Sequence, residues 1–210
     1  MSDALHAASG EREAPVTLAE VALATAWNFR GDPAQMAFVA EVERSLGLAL
    51  PAQPNASARN AAGALLWVGP RSWLFIADAT RDDFDDARRK LNDARGALFD
   101  VSASYVAWSV SGAAAPRVLN KGCPLDLHAR AFPAGHCAQS VLGHINTLFY
   151  KPDDTPTFIV IVARSFAADA WSFLTAAARE WLIASPRHRP LRRAAHRPCE
   201  PHDDDQREEQ

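Results

Sequence analysis

Two hydrophobic periodicities alternate along this chain of 210 residues, and their order limits the possible folds more than any other feature. Runs in which every second residue is apolar predict half-buried strands, whereas apolar residues three and four apart predict amphipathic helices. Between about residues 20 and 101 these patterns follow one another as strand, helix, strand, strand, helix and strand. The first half of the chain is therefore predicted to be one α+β unit.

The boundaries inside this first half come from residues that start or end each pattern. Asp32 and Pro33 predict the start of the first helix, because Asp can cap it and Pro fits its first turn; Gly47 suits its end. Residues 51–60, rich in Pro, Ala, Asn and Ser, are predicted to be a loop. The predicted elements are one strand over 21–29, a helix to Leu46, a hairpin of strands 64–68 and 72–77, a helix over 80–95 and a strand over 98–101.

The second half begins in the same way and then departs from the pattern. Residues 105–111 predict a strand and 113–119 a short helix, whereas 121–136, with Pro124, Pro133 and Gly135, are irregular. Strands over 137–142, 144–150 and 157–162 follow, and a final helix runs from Ser165 to about Leu182.

The order of the first half is that of a split βαβ unit of the ferredoxin-like type. The two halves are too short and too alike to be independent domains. The predicted fold class is α+β, with two ferredoxin-like lobes of antiparallel strands fused around a shared core.

Both ends of the chain lack periodicity. Residues 1–18 are predicted to be a disordered lead and residues 183–210 a disordered polar tail, because polar, Pro-containing segments bury too little apolar area to fold. One folded domain is expected between them, over residues 19–182.

Composition excludes several functions. A formal net charge of −3 and a pI near 6.1 give no electrostatic basis for binding nucleic acid or an anionic membrane. No apolar run reaches the ~20 residues that span a bilayer, and the N-terminus lacks the apolar core of a secretory signal. Three cysteines, odd in number and widely spaced, argue against a disulfide framework. We therefore expect a cytoplasmic protein.

The irregular segment holds the best candidates for chemistry. Cys123, Asp126, His128, His136 and Cys137 are possible metal ligands, but their spacing is irregular, so structural packing is the favoured interpretation. Cys123 could be a nucleophile with His128 or Lys121 nearby, although neither spacing is diagnostic. The sequence contains no phosphate-binding glycine motif for FAD, NAD or ATP. We expect no catalytic, cofactor-binding or metal-binding residues in this chain, which favours a subunit or binding role.

Several strings of residues resemble one known family. They are KGCPLDLH at 121–128 followed by AFP at 131–133, CAQS at 137–140, and PTF at 156–158 leading to RSFA at 164–167 with Trp171 downstream. Together with the turn at 69–74, they closely resemble the gamma subunit of heterotetrameric sarcosine oxidase over about residues 19–182. The tail lies outside the resemblance.

The resemblance implies a fold similar to the folate-binding domain of the glycine-cleavage aminomethyltransferase. It also implies membership of a complex that oxidises sarcosine to glycine, forms H2O2 and transfers the one-carbon unit to tetrahydrofolate. FAD, FMN, NAD, zinc and tetrahydrofolate are expected in the other subunits, and no cofactor is expected in this chain. The chain is expected to support the alpha subunit, in a complex that also contains beta and delta subunits. The enzyme activity, that of an oxidoreductase, belongs to the complex.

The 121–133 loop is the expected partner interface, because long structured loops in compact domains are usually functional. Its proposed contact residues are Cys123, Leu125, Leu127, His128 and Phe132. The apolar Leu125, Leu127 and Phe132 either plug the shared core or fill a pocket on a partner.

A second hypothesis is a standalone folate-binding or one-carbon-transfer protein. A related folate-dependent iron–sulfur-assembly family also carries a Lys-Gly-Cys string, but here Leu125-Asp126-Leu127-His128 follows it. Such a protein needs a carboxylate for the pterin in a deep cleft, for which Glu41, Glu43 and Asp100 are the candidates.

Overall fold

The computed structural model describes residues 15–182, and this part of the chain folds into two lobes, each an antiparallel sheet with helices on one face. The first lobe contains β2 (Thr25–Arg30), α1 (Met36–Leu46), β3 (Ser57–Asn60), β4 (Gly63–Gly69), β5 (Ser72–Ala77), α2 (Phe84–Asp93) and β6 (Ala97–Asp100). The second contains β1 (Thr17–Val21), β7 (Tyr105–Ser111), α3 (Ala115–Leu119), β8 (Cys137–Leu142), β9 (Ile145–Tyr150), β10 (Thr157–Ala163) and α4 (Ala167–Leu182).

The two sheets have the same topology. Their strand orders are β3-β4-β5-β2-β6 and β8-β9-β10-β7-β1, and every pairing is antiparallel. A helix follows the fourth strand of each order (α1 after β2, α3 after β7), and another follows the third (α2 after β5, α4 after β10). Within residues 15–182 the two sheets differ in the last strand: the first lobe uses β6, whereas the second borrows β1 from before the first lobe.

The sheets pack face to face, and the helices cover their outer faces. Side chains from both sheets meet in the centre, among them Ala26, Leu66, Ile76, Leu148 and Ile161. Trp27, Phe29, Trp73 and Phe75 point the other way, onto α1 and α2. Val110, Phe149 and Val160 do the same toward α3 and α4. The result is four layers with three apolar cores, of which the central one is shared between the lobes.

The predicted single strand over 21–29 is wrong. The chain forms two strands there, and they belong to different sheets: β1 pairs with β7, and β2 pairs with β5 and β6. Both segments alternate, so periodicity alone merges them. The fold also begins before residue 19, because Val16 is buried and the Pro15 carbonyl accepts a hydrogen bond from the Ala114 N–H at 2.8 Å. The remainder of the expected lead, residues 1–14, and the tail, residues 183–210, lie outside the described residues.

Two further boundaries differ from expectation. The predicted loop over 51–60 contains β3, an edge strand paired only with β4, whose residues are too polar to show a strand pattern. The first helix starts at Met36 instead of Asp32. The Asp32 carboxylate accepts hydrogen bonds from Ala34 N and Arg71 Nη2, so it stabilises the turn before the helix. Gly47 ends the helix with a left-handed φ of 63°, as predicted.

The remaining predicted elements are present with small shifts in their ends. These are the β4–β5 hairpin, α2, β6, β7, α3, the irregular segment, β8 to β10 and α4. Within residues 15–182, no helix combines the length and the apolar character needed to cross a membrane.

The borrowed strand generates a testable prediction. A chain starting at Ala24 lacks β1 and the buried Val16, and leaves the edge of β7 uncovered. We expect it to lose several kcal/mol of stability, at about 1.5–3 kcal/mol for each buried apolar side chain removed. In the first lobe only three residues connect α2 to its edge strand β6. In the second lobe α4 contacts the corresponding edge strand β1, so a short linker can join them in the same way. A permuted chain that carries residues 15–23 after Leu182 through a short Gly/Ser linker should therefore recover most of the lost melting temperature.

Thermal denaturation followed by circular dichroism gives the melting temperatures of both chains and of the parent chain truncated at Leu182. A permuted chain no more stable than the truncated one would contradict the equivalence of β1 and β6.

Candidate functional site

The loop between α3 and β8 holds the residues expected to contact a partner, and the structure places most of them inside the chain. Cys123, Leu127 and Phe132 are buried in the core beneath α3 and α4. Leu125 is half-buried and His128 is exposed. Cys123, Leu127 and Phe132 therefore hold the loop onto its own lobe, whereas Leu125 and His128 remain at the surface.

Lys121 and Gly122 attach this loop to the last helix. The Lys121 ammonium donates hydrogen bonds to the Ala177 carbonyl at 2.7 Å and to Glu180 Oε1 at 2.6 Å, and it lies 4.6 Å from the ring centroid of Trp181. A cation near the carboxyl end of a helix is favoured by the helix dipole.

Gly122 allows a close approach that no other residue can make. A Cβ at this position would overlap the Phe173 ring and would lie 2.8 Å from Gly143 N, and the Gly122 carbonyl accepts a hydrogen bond from that same N–H at 2.9 Å. The glycine therefore lets the loop lie directly against the β8–β9 turn and α4.

Asn120, which sequence reasoning missed, organises the loop from within. Its Nδ2 donates to the carbonyls of Cys123 at 3.1 Å and Leu125 at 2.5 Å. The Asp126 carboxylate accepts from the His128 N–H at 2.9 Å. The asparagine that follows α3 directly was the available signal, since Asn side chains commonly bond nearby backbone groups.

The two thiols in the described residues are held in their neutral form. Burial raises the pKa of Cys123, and it raises the pKa of Cys137 to about 12. Cys137 Sγ lies 3.3 Å from the Trp67 carbonyl, to which it donates. His128 Nδ1 accepts a hydrogen bond from the Arg130 N–H, and within residues 15–182 no three His, Cys, Asp or Glu side chains are grouped to hold a metal. The candidate metal and nucleophile residues are thus not brought together.

Cys137 lies instead at a seam that joins the two lobes. Its N–H donates to the Asn55 carbonyl at 2.8 Å, and a β-bridge connects Ala56 with His136. Gln139 Nε2 donates to the Val68 carbonyl at 2.6 Å. These bonds join one edge of the first sheet to β8 of the second.

A cleft of about 1550 Å³ opens between the sheets, where the shared core gives way to polar side chains. Arg30, Arg71, Arg95 and Phe99 line it from the first lobe, and Gln139 and Asn146 line it from the second. It is wide enough to receive another molecule or segment.

The carboxylates considered for folate binding are not in this cleft. Glu41 lies on α1, where a hydrogen bond from Arg44 lowers its pKa, and Glu43 is exposed on the same helix. Asp100 accepts hydrogen bonds from the Ser102 N–H and hydroxyl. Among the described residues, the carboxylate that does line the cleft is Asp32, which Arg71 already binds at 2.9 Å.

Sequence comparison identifies one family. The model of the "Sarcosine oxidase, gamma subunit family" matches residues 30–180. "Sarcosine oxidase subunit gamma" of Corynebacterium sp. (strain P-1) is 34% identical over 154 residues, which cover 73% of this chain and 75% of the relative. The protein of the same name from Arthrobacter sp. is 33% identical with the same coverage.

Solved structures agree. The chain superposes with a TM-score of 0.74 on a chain of the heterotetrameric sarcosine oxidase from Corynebacterium sp. U-96 in complex with pyrrole 2-carboxylate, at 29% identity, covering 82% of this chain and 88% of that one. The glycine cleavage system aminomethyltransferase T from Bartonella henselae superposes with a TM-score of 0.54 at 11% identity, covering 79% of this chain and 47% of that one. This second likeness shows a common fold.

Gly122→Ala tests the close approach of the loop. We expect it to lower the free energy of unfolding by about 1–3 kcal/mol, because the new methyl overlaps the Phe173 ring and crowds a backbone nitrogen. Gly69→Ala is the matched control: its Cβ would lie 3.7 Å from the Ser72 Cβ, so the change should stay within about 0.5 kcal/mol. Urea denaturation measures both, and equal effects of the two substitutions would argue against a packed Gly122.

The thiols give a pH prediction in a Cys199→Ser variant, since Cys199 lies outside the described residues. In the unfolded chain Cys137 loses its proton above about pH 9, whereas in the folded chain it keeps it to about 12. The stability that Cys137 contributes is therefore complete below pH 9 and falls by about 1.4 kcal/mol per pH unit above it.

Comparing urea denaturation of this variant with Cys137→Ala between pH 8 and pH 11 isolates the slope, because other titrating groups act on both. Parallel pH profiles would show that the thiol is not held neutral. Both described thiols should also resist an aromatic disulfide reagent at pH 8 until the chain is unfolded.

Proposed function

The chain belongs to the sarcosine oxidase gamma subunit family, and we propose that it works as the gamma subunit of a heterotetrameric sarcosine oxidase. The observation that carries this is the superposition on a chain of that complex over 88% of its length. The proposal assigns this chain a structural role, in which it binds and supports other subunits.

The chemistry of the described residues favours this structural role. The buried thiols are neutral, the Lys121 ammonium binds α4, and the cleft carboxylate Asp32 is paired with Arg71. Cys123, Cys137 and Lys121, which sequence reasoning considered for chemistry, therefore serve packing or bind α4.

The activity is assigned to the assembled complex. There sarcosine is oxidised to glycine, with one-carbon transfer to tetrahydrofolate and formation of H2O2. FAD, FMN, NAD, zinc and tetrahydrofolate are assigned to the other subunits. The alpha subunit is proposed as the main contact, with beta and delta completing a cytoplasmic complex.

The fold fits a pair of ferredoxin-like units. In the first lobe the order β4-β5-β2-β6, with helices after β2 and β5, has the arrangement of a split βαβ pair. β3 and β8 extend the sheets at one edge. In this proposal the second lobe is the same unit, closed by β1.

The proposed partner surface of the 121–133 loop has fewer residues than the five expected from the sequence. Leu125 and His128 are proposed as its direct contacts, because they lie at the surface of a segment fixed from below by Cys123, Leu127 and Phe132. A rigid, pre-formed loop loses little entropy on binding.

The alternative, a standalone folate-binding protein, has the cleft and the aminomethyltransferase-like fold in its favour. Its proposed acids Glu41, Glu43 and Asp100 do not line that cleft, so the subunit role is the better supported of the two.

Co-expression with candidate partner subunits tests the assignment. A tagged chain should retain the other three subunits through size-exclusion chromatography, and the complex should form H2O2 from sarcosine, while the chain purified alone shows no flavin absorption. Cys123→Ser should leave turnover within a few-fold, because the thiol is neutral and buried.

Leu127→Ala is the contrasting variant, since it removes a fully buried side chain at about 2–5 kcal/mol and should weaken co-purification. Recovery of the tagged chain alone would overturn the proposed function. Loss of turnover by Cys123→Ser in an intact complex would overturn its non-catalytic part.

A further inference from the structure

The strand register brings three arginines that are distant in sequence to one end of the first sheet. Arg30, the last residue of β2, pairs with Ser72 of β5 on one side and with Ala97 of β6 on the other. Arg71 directly precedes Ser72, and Arg95 lies two residues before Ala97. Since neighbouring strands are about 4.8 Å apart, the backbones of the three arginines lie at the same end of three adjacent strands. All three line the cleft between the sheets.

The positive charge at this end of the cleft is largely uncompensated. Arg71 binds Asp32 at 2.9 Å. Arg30 donates to Asn28 Oδ1 at 2.8 Å and lies 5.9 Å from the Phe99 ring centroid. Within residues 15–182 neither Arg30 nor Arg95 forms an ion pair with a carboxylate, and Asp32 is the one acidic residue in the lining. The cleft therefore offers two guanidinium groups to carboxylates of another molecule.

The shape of the cleft favours a chain segment over a small ligand. Its volume of about 1550 Å³ exceeds the roughly 300–1,000 Å³ typical of small-molecule pockets. Phe99 is 51% exposed on one wall, which provides an apolar contact beside the arginines. In the described chain β6 is paired on one side only, so half of its backbone groups are free to bond an added strand.

We propose that this cleft, lined by Arg30, Arg71, Arg95 and Phe99, is a docking site for an extended acidic segment of a partner subunit. Carboxylates of the segment pair with Arg30 and Arg95, an apolar side chain packs on Phe99, and its backbone lies along β6. The inference rests on the proposed function, because it requires that this chain assemble with other subunits.

Arg30→Gln/Arg95→Gln is the test variant, and Arg88→Gln/Arg89→Gln is its matched control. The control pair lies on the exposed side of α2 in the same lobe, outside the cleft, and its substitution also removes two positive charges. Arg71 is left intact because it stabilises the turn before α1 through Asp32. All four substituted side chains are exposed, and melting temperatures of both variants confirm folding.

The measured quantity is the affinity of the tagged chain for the other three subunits, purified without it, at low and high ionic strength. We expect the cleft variant to bind about tenfold more weakly at low salt and with a reduced salt dependence, because close interfacial charge pairs are lost. The control should bind within about twofold of the unmodified chain, because Arg88 and Arg89 lie outside the cleft.

A photo-crosslinking residue in place of Asn146, which lines the opposite wall, locates the occupant. Mass spectrometry should identify an acidic peptide of a partner subunit, and the same probe in place of Arg88 should not capture it. Equal affinities of the two double variants, or crosslinks that map elsewhere, overturn the docking site. Failure of the unmodified chain to bind any subunit overturns the proposed function itself, and the two failures are thus distinguishable.

Discussion

Burial of both faces of each sheet is the constraint on which the rest of the fold depends. Each sheet packs its outer face on helices and its inner face on the other sheet. The central strands accordingly carry apolar side chains on both sides: five of the six residues of β5 and four of the seven in β10 are buried. Each buried aliphatic or aromatic side chain contributes about 1.5–3 kcal/mol, whereas an exposed ion pair contributes about 0–1 kcal/mol. The sheet-on-sheet contact therefore determines the architecture.

This contact also explains why the chain crosses between lobes at both ends of the first one. The second sheet needs a strand beside β7, and β1 supplies it before the chain turns into β2. The start of β1 is anchored by the Pro15 carbonyl and by Gly112, whose φ of 108° brings the backbone of β7's end close to Pro15. The second lobe is not complete in a continuous stretch of sequence, because β1 lies on the far side of the first lobe, so the two lobes are expected to fold as one cooperative unit.

The sequence predicts those elements whose apolar pattern is imposed by burial in a core. It misses those features that depend on which sheet a strand joins or on its position at a sheet edge. The hairpin β4–β5, the strands β8 to β10 and helix α4 have clear periodicity because one face or both faces are buried. β1 and β2 share one uninterrupted alternation, so the change of sheet between them leaves no signal in periodicity. β3 is visible only as polar residues, because an edge strand can satisfy Ser57 and Asn60 through hydrogen bonds to Gly135 and Leu46. The convergence of Arg30, Arg71 and Arg95 depends on register, which the sequence alone does not supply.

The string KGCPLDLH at 121–128 is explained by folding more than by recognition. Lys121 binds the end of α4, Gly122 permits contact with Phe173 and Gly143, and Cys123 and Leu127 fill the core. A string that specifies a packed loop can be recognised in a sequence without naming the surface that the loop presents. Residues that distinguish one partner from another must be accessible, and the proposed contacts, Leu125 and His128 on the loop and the arginines of the cleft, meet this requirement. Recognition of the family and identification of its binding surface are consequently separate problems, and only the second requires the three-dimensional arrangement.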